Sequence, residues 1–168
     1  MVVQVDCGKI VMLTNVFEEA KQKCNHYWPE AVGKSDQFEG IMVTLMKEDI
    51  YSDFTIRHLK LQKESTKKKV IQFHFTAWPD KDVPKYSSSL VHFRHKVNLI
   101  DVSAKGPVVV HCSAGIGRTG TYIALDITVT EANAVGHVDV FRCVETLRRQ
   151  RVNMVQTARQ YVFLHDTV

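Results

Sequence analysis

The sequence predicts an α/β (α+β) domain with a central mixed, twisted sheet flanked by helices. Three observations support this class. Runs rich in branched residues dominate the first half of the chain, and apolar residues at helical spacing dominate the second half. A Cys-x5-Arg loop, from Cys112 to Arg118, lies between a short apolar run and a predicted helix. Strands followed by helices favour a sheet with helices packed against it.

The predicted strands are short runs that are either rich in branched residues or alternate in polarity: 9–13, 41–47, 55–61, 70–75 and 108–110. In the run 70–75, apolar residues alternate with the polar Gln72 and His74. This alternation predicts a strand that is buried on one face. The lysine-rich residues 64–69 are expected to form a loop.

The predicted helices follow from apolar stripes in the second half of the chain. The first places Leu90, Phe93, Val97 and Ile100 at intervals of 3, 4 and 3, and Ser87 or Ser88 is expected to cap it. Three further helices are expected over 119–134, from residue 140 to the arginines near 148–151, and from 157 to the end.

Composition excludes several classes of protein. With 168 residues, 45% hydrophobic and 24% charged, the chain suits one globular domain rather than a disordered or fibrous protein. Its net charge of +4 suits an anionic ligand, but the basic groups 67–69 and 148–151 are too few to predict nucleic-acid binding. No run approaches the roughly 18 apolar residues of a membrane span. The four cysteines form no Cys-x-x-Cys pair and favour a reducing compartment.

The loop that begins at Cys112 carries the chemistry. A strand runs into a turn of small residues, and such a turn before a helix directs backbone N–H groups toward a bound anion. Arg118 would place a planar, two-pronged cation beside a tetrahedral oxyanion. The same N–H groups and the helix end favour the thiolate form of Cys112, while Gly115 and Gly117 permit close backbone approach. Nucleophilic attack on phosphorus is therefore predicted.

Two other interpretations of this loop are possible. Gly115-x-Gly117-x-x-Gly120 matches the dinucleotide fingerprint, with Asp139 as the acidic partner, but that motif has no use for Cys112 and Asp139 is not at a strand end. A free cysteine is most often a small buried hydrophobe. For Cys112, the small neighbouring residues and the position of Arg118 favour a reactive cysteine instead.

Four ordered blocks resemble the tyrosine-specific protein tyrosine phosphatases, with receptor-type catalytic domains the most similar. The blocks are Ile10–Leu13 with Lys23-Cys24 and Tyr27-Trp28-Pro29, the acid-loop sequence Phe73–Asp80, the segment His111–Gly120, and the glutamine-loop sequence Arg148–Tyr161. The resemblance implies hydrolysis of phosphotyrosine in proteins through phosphocysteine, without metal or cofactor.

The resemblance also implies roles for individual residues. Cys112 is the nucleophile, Asp80 the acid and then the base, and Gln156 the residue that orients water. Arg118 and the loop amides bind the phosphate oxygens. The remaining residues of the implied site are Ser113, Ala114, Gly115, Ile116 and Gly117 for phosphate, Thr119 for the leaving thiolate, and Glu18, Lys23, His111 and Gln160 in support.

Each role has a plainer alternative. Asp80 suits a simple turn, and Gln156 with its neighbour Thr157 suits a helix cap. Glu18, next to another glutamate, suits a solvated surface, and His111 suits a hydrogen-bonded core histidine. A weakly catalytic, phosphotyrosine-binding or regulatory pseudophosphatase is the alternative function, although a binding module needs neither an acid nor a water-orienting group.

The sequence departs from the family pattern at two positions. Ala20 and Asp82 stand where the family usually has glycine, and Asp82 is expected to alter closure of the acid loop or protonation of Asp80. Residues 1–168 are interpreted as part of a phosphatase domain, lacking the upstream phosphotyrosine-recognition segment and the end of the last helix. The expected partners are phosphotyrosine proteins, without nucleic acid or membrane contact, in a cytoplasmic location. Whether the parent protein is a transmembrane receptor is left open.

Overall fold

Among the residues that the structure describes, the fold is a six-stranded mixed sheet flanked by helices, as predicted. The structure is a computed structural model that describes residues 1–79 and 82–168. The strands are β1 Lys9–Met12, β2 Phe17–Glu18, β3 Lys21–Gln22, β4 Ser35–Phe38, β5 Ile41–Ile50, β6 Phe54–Lys63, β7 Thr66–Phe75 and β8 Val109–His111. The helices are α1 Ser87–Leu99, α2 Gly117–Val135, α3 Val140–Gln150 and α4 Ala158–Thr167.

Parallel pairing in the middle of the sheet positions the site. The strand order is β4-β5-β6-β7-β1-β8, and β1 is parallel to both β7 and β8. Met12 is in register with His74 on one side and with His111 on the other. All three strands therefore end at the same edge, where open sheets of this kind bind ligands. The segments that follow them carry Thr14, Pro79 and Cys112.

The sheet is buried on both faces in its centre. One core cluster contains Phe73 and the apolar residues of the helices, and the other contains Val70, Leu59 and Trp28. The prediction that 70–75 is buried on one face is therefore wrong. Gln72 and His74 are buried as well. They are tolerated there because Arg57 contacts both side chains, with Nη1 at 3.0 Å from Gln72 Oε1 and 3.2 Å from His74 Nδ1.

Two local expectations also need correction. Residues 66–69 belong to β7 rather than to a loop, because they pair with β6 down to the hairpin contact between Lys63 and Thr66. No side chain caps α1, whose N-cap residue is Tyr86 rather than Ser87 or Ser88.

No helix in the described part of the chain is long and apolar enough to cross a bilayer.

Candidate active site

The loop between β8 and α2 wraps around the sulfur of Cys112. Gly115 N donates a hydrogen bond to Cys112 Sγ at 3.3 Å, and Thr119 Oγ1 donates another at 3.1 Å. Gly115 has a φ of +70°, in the left-handed region that glycine adopts without steric penalty. The loop therefore turns its amides toward the sulfur, as the spacing of its small residues predicts.

This environment lowers the pKa of the Cys112 thiol. Burial acts in the opposite direction and raises the pKa, because it penalises the charged form. The Thr119 hydroxyl and the backbone amides of Thr119, Gly115 and Ile116 outweigh burial, since each donates toward the sulfur. The net result is a pKa below the ordinary value of 9.0, which favours a nucleophilic thiolate.

Arg118 is held in place by a two-pronged ion pair with Glu18. Arg118 Nη1 lies 2.6 Å from Glu18 Oε1, and Nη2 lies 2.9 Å from Oε2. The side chains are only 10% and 7% exposed, so the pair is shielded from water. The carboxylate also accepts hydrogen bonds from Asn15 N and Thr14 Oγ1. Burial raises the pKa of Glu18, but the bonds from Arg118 and Asn15 prevail, and the net pKa is lowered.

Two backbone carbonyls complete the setting of Arg118. Nη1 donates to Leu13 O at 3.1 Å, just beyond the end of β1, and Nη2 donates to Pro79 O at 3.2 Å. The guanidinium thus joins the sheet edge to the segment that leads into the predicted acid, Asp80. Asp80 itself lies outside the described residues.

The segment with the predicted glutamines packs directly on the start of α2. A Cβ placed on Gly117 would lie 3.2 Å from Gln156 Oε1 and 3.1 Å from Gln160 Nε2. Gln160 Oε1 accepts from Gln156 N at 2.9 Å, and Thr157 Oγ1 accepts from Gln160 N at 3.1 Å. Thr157 therefore caps α4, as its alternative interpretation proposed, and the cap fixes Gln156 beside the cysteine loop.

Two arginines to which no role was assigned from the sequence also hold this segment, through hydrogen bonds to backbone carbonyls. Arg148 donates to Met154 O at 2.9 Å and to Val155 O at 2.7 Å. Gly120 permits this approach, because a Cβ there would overlap the backbone nitrogen of Val155. Arg151 donates to Ala114 O at 3.2 Å and so ties the segment to the cysteine loop.

His111 lies behind the loop rather than in it. Its Nε2 is 2.8 Å from the hydroxyl of Tyr27, and its Nδ1 is 3.1 Å from the Cys112 carbonyl. Burial lowers the pKa of His111, although the contact with that carbonyl opposes the shift. A neutral imidazole wedged between Tyr27 and the loop suits a supporting position.

A pocket of about 350 Å³ gathers most of the predicted site residues. Those that line it are Glu18, Lys23, Cys112, Ser113, Ala114, Gly117, Arg118, Gln156 and Gln160, joined by Thr14, Asp82 and Thr157. The lining residues do not include Gly115, Ile116, Thr119 or His111. Within residues 1–79 and 82–168, no group of three His, Cys, Asp or Glu side chains is arranged to hold a metal ion.

Asp82 has a partner that sequence reasoning missed. Its Oδ2 lies 2.7 Å from Arg159 Nη1 on α4, and its carbonyl accepts from Trp78 Nε1 at 2.9 Å. A hydrogen bond from the Val83 amide is the main cause that lowers the pKa of Asp82, with Arg159 adding to it. The opposite charges of Asp82 and Arg159 were visible in the sequence. The two residues are 77 positions apart, so the sequence alone does not show that they pair.

The dinucleotide interpretation finds no support in the fold. Among the described residues, no strand follows β8, which is itself at the edge of the sheet. Asp139 is the N-cap of α3, where its side chain accepts from Arg142 N. The arrangement instead combines a thiol whose pKa is lowered, amides directed toward the sulfur, and a fixed guanidinium. Together these groups can bind a tetrahedral oxyanion and attack its central atom.

Comparisons with known proteins give a family match and several relatives. Residues 1–168 match the family model described as protein-tyrosine phosphatase. Receptor-type tyrosine-protein phosphatase U of Gallus gallus is 41% identical over 170 residues, covering 100% of this chain and 12% of the relative. Receptor-type tyrosine-protein phosphatase zeta of Homo sapiens is 41% identical over 169 residues, covering 95% of this chain and 7% of the relative. Phosphatidylinositol phosphatase PTPRQ of Homo sapiens is 40% identical over 168 residues, covering 100% and 7%. The chain thus spans about an eighth or less of these relatives.

Proposed function

This chain belongs to the protein-tyrosine phosphatase family, and on that premise we propose that it hydrolyses phosphotyrosine in proteins through a phosphocysteine intermediate. The phosphoryl group moves first from the tyrosine oxygen to Cys112 and then to water. The observation that carries this proposal is the placement of the Cys112 sulfur. It accepts hydrogen bonds from Gly115 and Thr119 in the same pocket as the fixed guanidinium of Arg118.

In the first step, Cys112 Sγ forms a bond to phosphorus while the bond from phosphorus to the phenolic oxygen breaks. Asp80 gives its proton to that oxygen, so the product leaves as neutral tyrosine. Asp80 is assigned because residues 73–80 resemble the family's acid loop, and the neighbouring Pro79 accepts a hydrogen bond from Arg118 through its carbonyl.

In the second step, water attacks phosphorus, and the sulfur–phosphorus bond breaks. Gln156 orients the water, with Gln160 in support, and Asp80 accepts the proton that water loses. Thr119 stabilises the departing thiolate through the hydroxyl that lies 3.1 Å from the sulfur. Inorganic phosphate is released, and the thiolate is ready for another turnover.

Charge on the phosphoryl oxygens is balanced by the loop and by Arg118. Backbone amides of residues 113–117 and the guanidinium of Arg118 bind these oxygens in both transition states. Glu18 fixes the guanidinium through two hydrogen bonds, and bound phosphate would take the N–H of Nη2 that here donates to Pro79 O. His111 supports the loop from behind through Tyr27.

The proposed substrate class is taken from the family to which the chain belongs. Phosphotyrosine proteins are the proposed partners, and a cytoplasmic location is consistent with the four free cysteines. Because one relative is named a phosphatidylinositol phosphatase, phosphorylated inositol lipid is the competing substrate.

A turnover assay with matched cysteine variants tests the proposal. Release of phosphate is measured from a phosphotyrosine peptide and from phosphatidylinositol phosphate for the unaltered protein, Cys112→Ser and Cys143→Ser. Cys143 is also buried, in α3, away from the pocket. We expect the unaltered protein to turn over the peptide. Cys112→Ser should lower this rate at least about 10⁴-fold, whereas Cys143→Ser should keep it within about twofold.

Three other results are informative. Peptide binding without turnover in the unaltered protein would identify a pseudophosphatase. Faster turnover of the lipid would reassign the substrate. Equal activity of Cys112→Ser and Cys143→Ser would refute the role of Cys112.

A further inference from the structure

A second recess lies on the sheet, away from the active-site pocket. It has a volume of about 410 Å³ and shares no lining residue with that pocket. We name it the basic groove and define it by Lys47, Lys60 and Lys69, the apolar Met46 and Val102, and Asp101. The segment 101–103 follows α1 and forms the wall opposite the strands β6 and β7.

Two lysines in the groove face each other at the closest cross-strand spacing. Lys60 on β6 is directly opposite Lys69 on β7 in the antiparallel register. Directly opposite residues have Cβ atoms about 5 Å apart, and like charges at this spacing destabilise a sheet. Within residues 1–79 and 82–168, neither lysine forms an ion pair. The fold therefore leaves a repulsion that a bound anion would relieve.

The surrounding charges do not cancel this repulsion. Lys47 adds a third ammonium, although Asp49 pairs with it at 2.6 Å on the exposed surface. Asp101 is the single carboxylate among the lining residues of the groove. His58 lies beside Lys60 on the same face of β6, two positions away. The groove thus carries a net positive charge at neutral pH.

The shape and the apolar residues of the groove restrict its occupant. Ile71 and Val102 lie within it beside the lysines, and Met46 is 53% exposed there. A recess between a sheet and a loop admits an extended chain segment but does not fit the flat surface of a bilayer. An acidic side chain between the lysines, with an apolar neighbour against Met46, would satisfy both features.

We propose that the basic groove docks an acidic segment of a partner protein. The groove lies toward the β6–β7 hairpin, whereas the active site lies beyond the opposite end of β7. A partner bound at the groove therefore leaves the catalytic pocket accessible. This proposal does not depend on the proposed reaction, because it concerns binding alone.

Fluorescence anisotropy with defined peptides tests the groove. The probe is a fluorescein-labelled peptide of Glu and Asp with one central Leu, and its counterpart carries Gln and Asn instead. The unaltered protein is compared with Lys60→Glu and with Lys34→Glu, an identical charge change at an exposed turn before β4. We expect the acidic peptide to bind the unaltered protein and to bind Lys60→Glu at least about tenfold more weakly. Lys34→Glu should stay within about twofold.

The melting temperature distinguishes loss of peptide binding from loss of folding, because a variant that fails to fold would not melt at a higher temperature. Without peptide, Lys60→Glu should melt a few degrees above the unaltered protein, because the new carboxylate faces Lys69 across the strands. The acidic peptide should raise the melting temperature of the unaltered protein and leave that of Lys60→Glu unchanged.

Several results would overturn the proposal. One is equal binding by Lys60→Glu and Lys34→Glu. Another is equal affinity for the acidic and amide peptides, or no binding of either. Binding to phosphatidylserine vesicles that Lys60→Glu abolishes, without peptide binding, would assign this face to a membrane instead.

Discussion

Replacing Glu18 with glutamine tests how Arg118 is held in the pocket. The glutamine retains the shape of the side chain and removes its charge. Glu18 Oε1 accepts three hydrogen bonds, from Arg118, Asn15 and Thr14, and an amide oxygen in that place can keep them. Among the described residues, Oε2 accepts a single hydrogen bond, from Arg118 Nη2 at 2.9 Å. An amide NH₂ in the place of Oε2 would face the Nη2 donor of Arg118 and could not accept its hydrogen bond.

The size of the effect follows from burial and bond count. One hydrogen bond to a charged group is worth about 1.5–3 kcal/mol, and breaking a buried ion pair costs about 3–5 kcal/mol. Both side chains are nearly buried, at 10% and 7% exposure, so solvent screening is small. Because three of the bonds can persist, we expect Glu18→Gln to lower the free energy of unfolding by about 3 kcal/mol.

Turnover should fall as well, because the guanidinium loses its fixed orientation. A loss of about 100-fold in kcat/KM toward a phosphotyrosine peptide corresponds to about 2.7 kcal/mol of transition-state stabilisation. The matched control is Glu39→Gln, the same change at an exposed turn between β4 and β5. Urea unfolding and initial rates measure the two effects. Equal values for both variants would refute the claim that Glu18 holds Arg118.

The ion pair also predicts a pH dependence. The pKa of Glu18 is lowered from its ordinary value of 4.5 in the folded protein. Its stabilisation is therefore fully present above that value and is lost as the pH falls through the lowered pKa. The difference in unfolding free energy between the unaltered protein and Glu18→Gln should shrink as the pH falls below 4.5. A difference that stays constant down to the lowest pH at which the protein folds would contradict the lowered pKa.

Three further predictions concern the loop, the packing behind it and the assigned acid. Thr119→Val should raise the pKa of the Cys112 thiol toward 9.0, measured from the pH dependence of alkylation by iodoacetamide. Gly120→Ala should lower the free energy of unfolding in urea by about 3 kcal/mol, because the added Cβ overlaps the backbone of Val155. Asp80→Asn should slow hydrolysis of phenyl phosphate far more than that of an activated aryl phosphate, because only a poor leaving group needs the proton.

Each of these predictions has a matched control or a contrary result. Thr121→Val removes a buried hydroxyl that donates to Gly117 O rather than to the sulfur, so it should leave the alkylation profile unchanged. Helix propensity alone predicts that Gly120→Ala stabilises α2 by up to about 1 kcal/mol, so a more stable variant would rule out the overlap. Equal slowing of both aryl phosphates by Asp80→Asn would remove Asp80 from the role of acid.

Local pattern predicted the elements around the cysteine loop, but some features of the sheet depend on distant neighbours. The lysines at 67–69 have low strand propensity, yet they extend β7 because β6 offers hydrogen bonds along its whole length. His74 alternates with apolar residues as a solvent-facing side chain would. It is buried because Trp28 and Arg57, distant in sequence, cover that face.

In the site as well, the residues of one motif could be predicted, whereas contacts between distant segments could not. Cys112 and Arg118 lie in one short motif, so their proximity follows from chain geometry. The carbonyls of Leu13 and Pro79 that bind Arg118 carry no side-chain signal, and their positions depend on the parallel pairing of β1 with β7 and β8. Backbone acceptors of this kind cannot be read from residue type.

Acid quenching of the reaction would test most directly whether Cys112 carries the phosphoryl group. The protein is mixed with excess phosphotyrosine peptide, denatured in acid within one turnover, digested and examined by mass spectrometry. We predict phosphate on the peptide that contains Cys112, and none on the peptides that contain Cys7, Cys24 or Cys143. Turnover with no phosphate on Cys112 at any quench time, or with phosphate on another residue, would contradict the proposed mechanism.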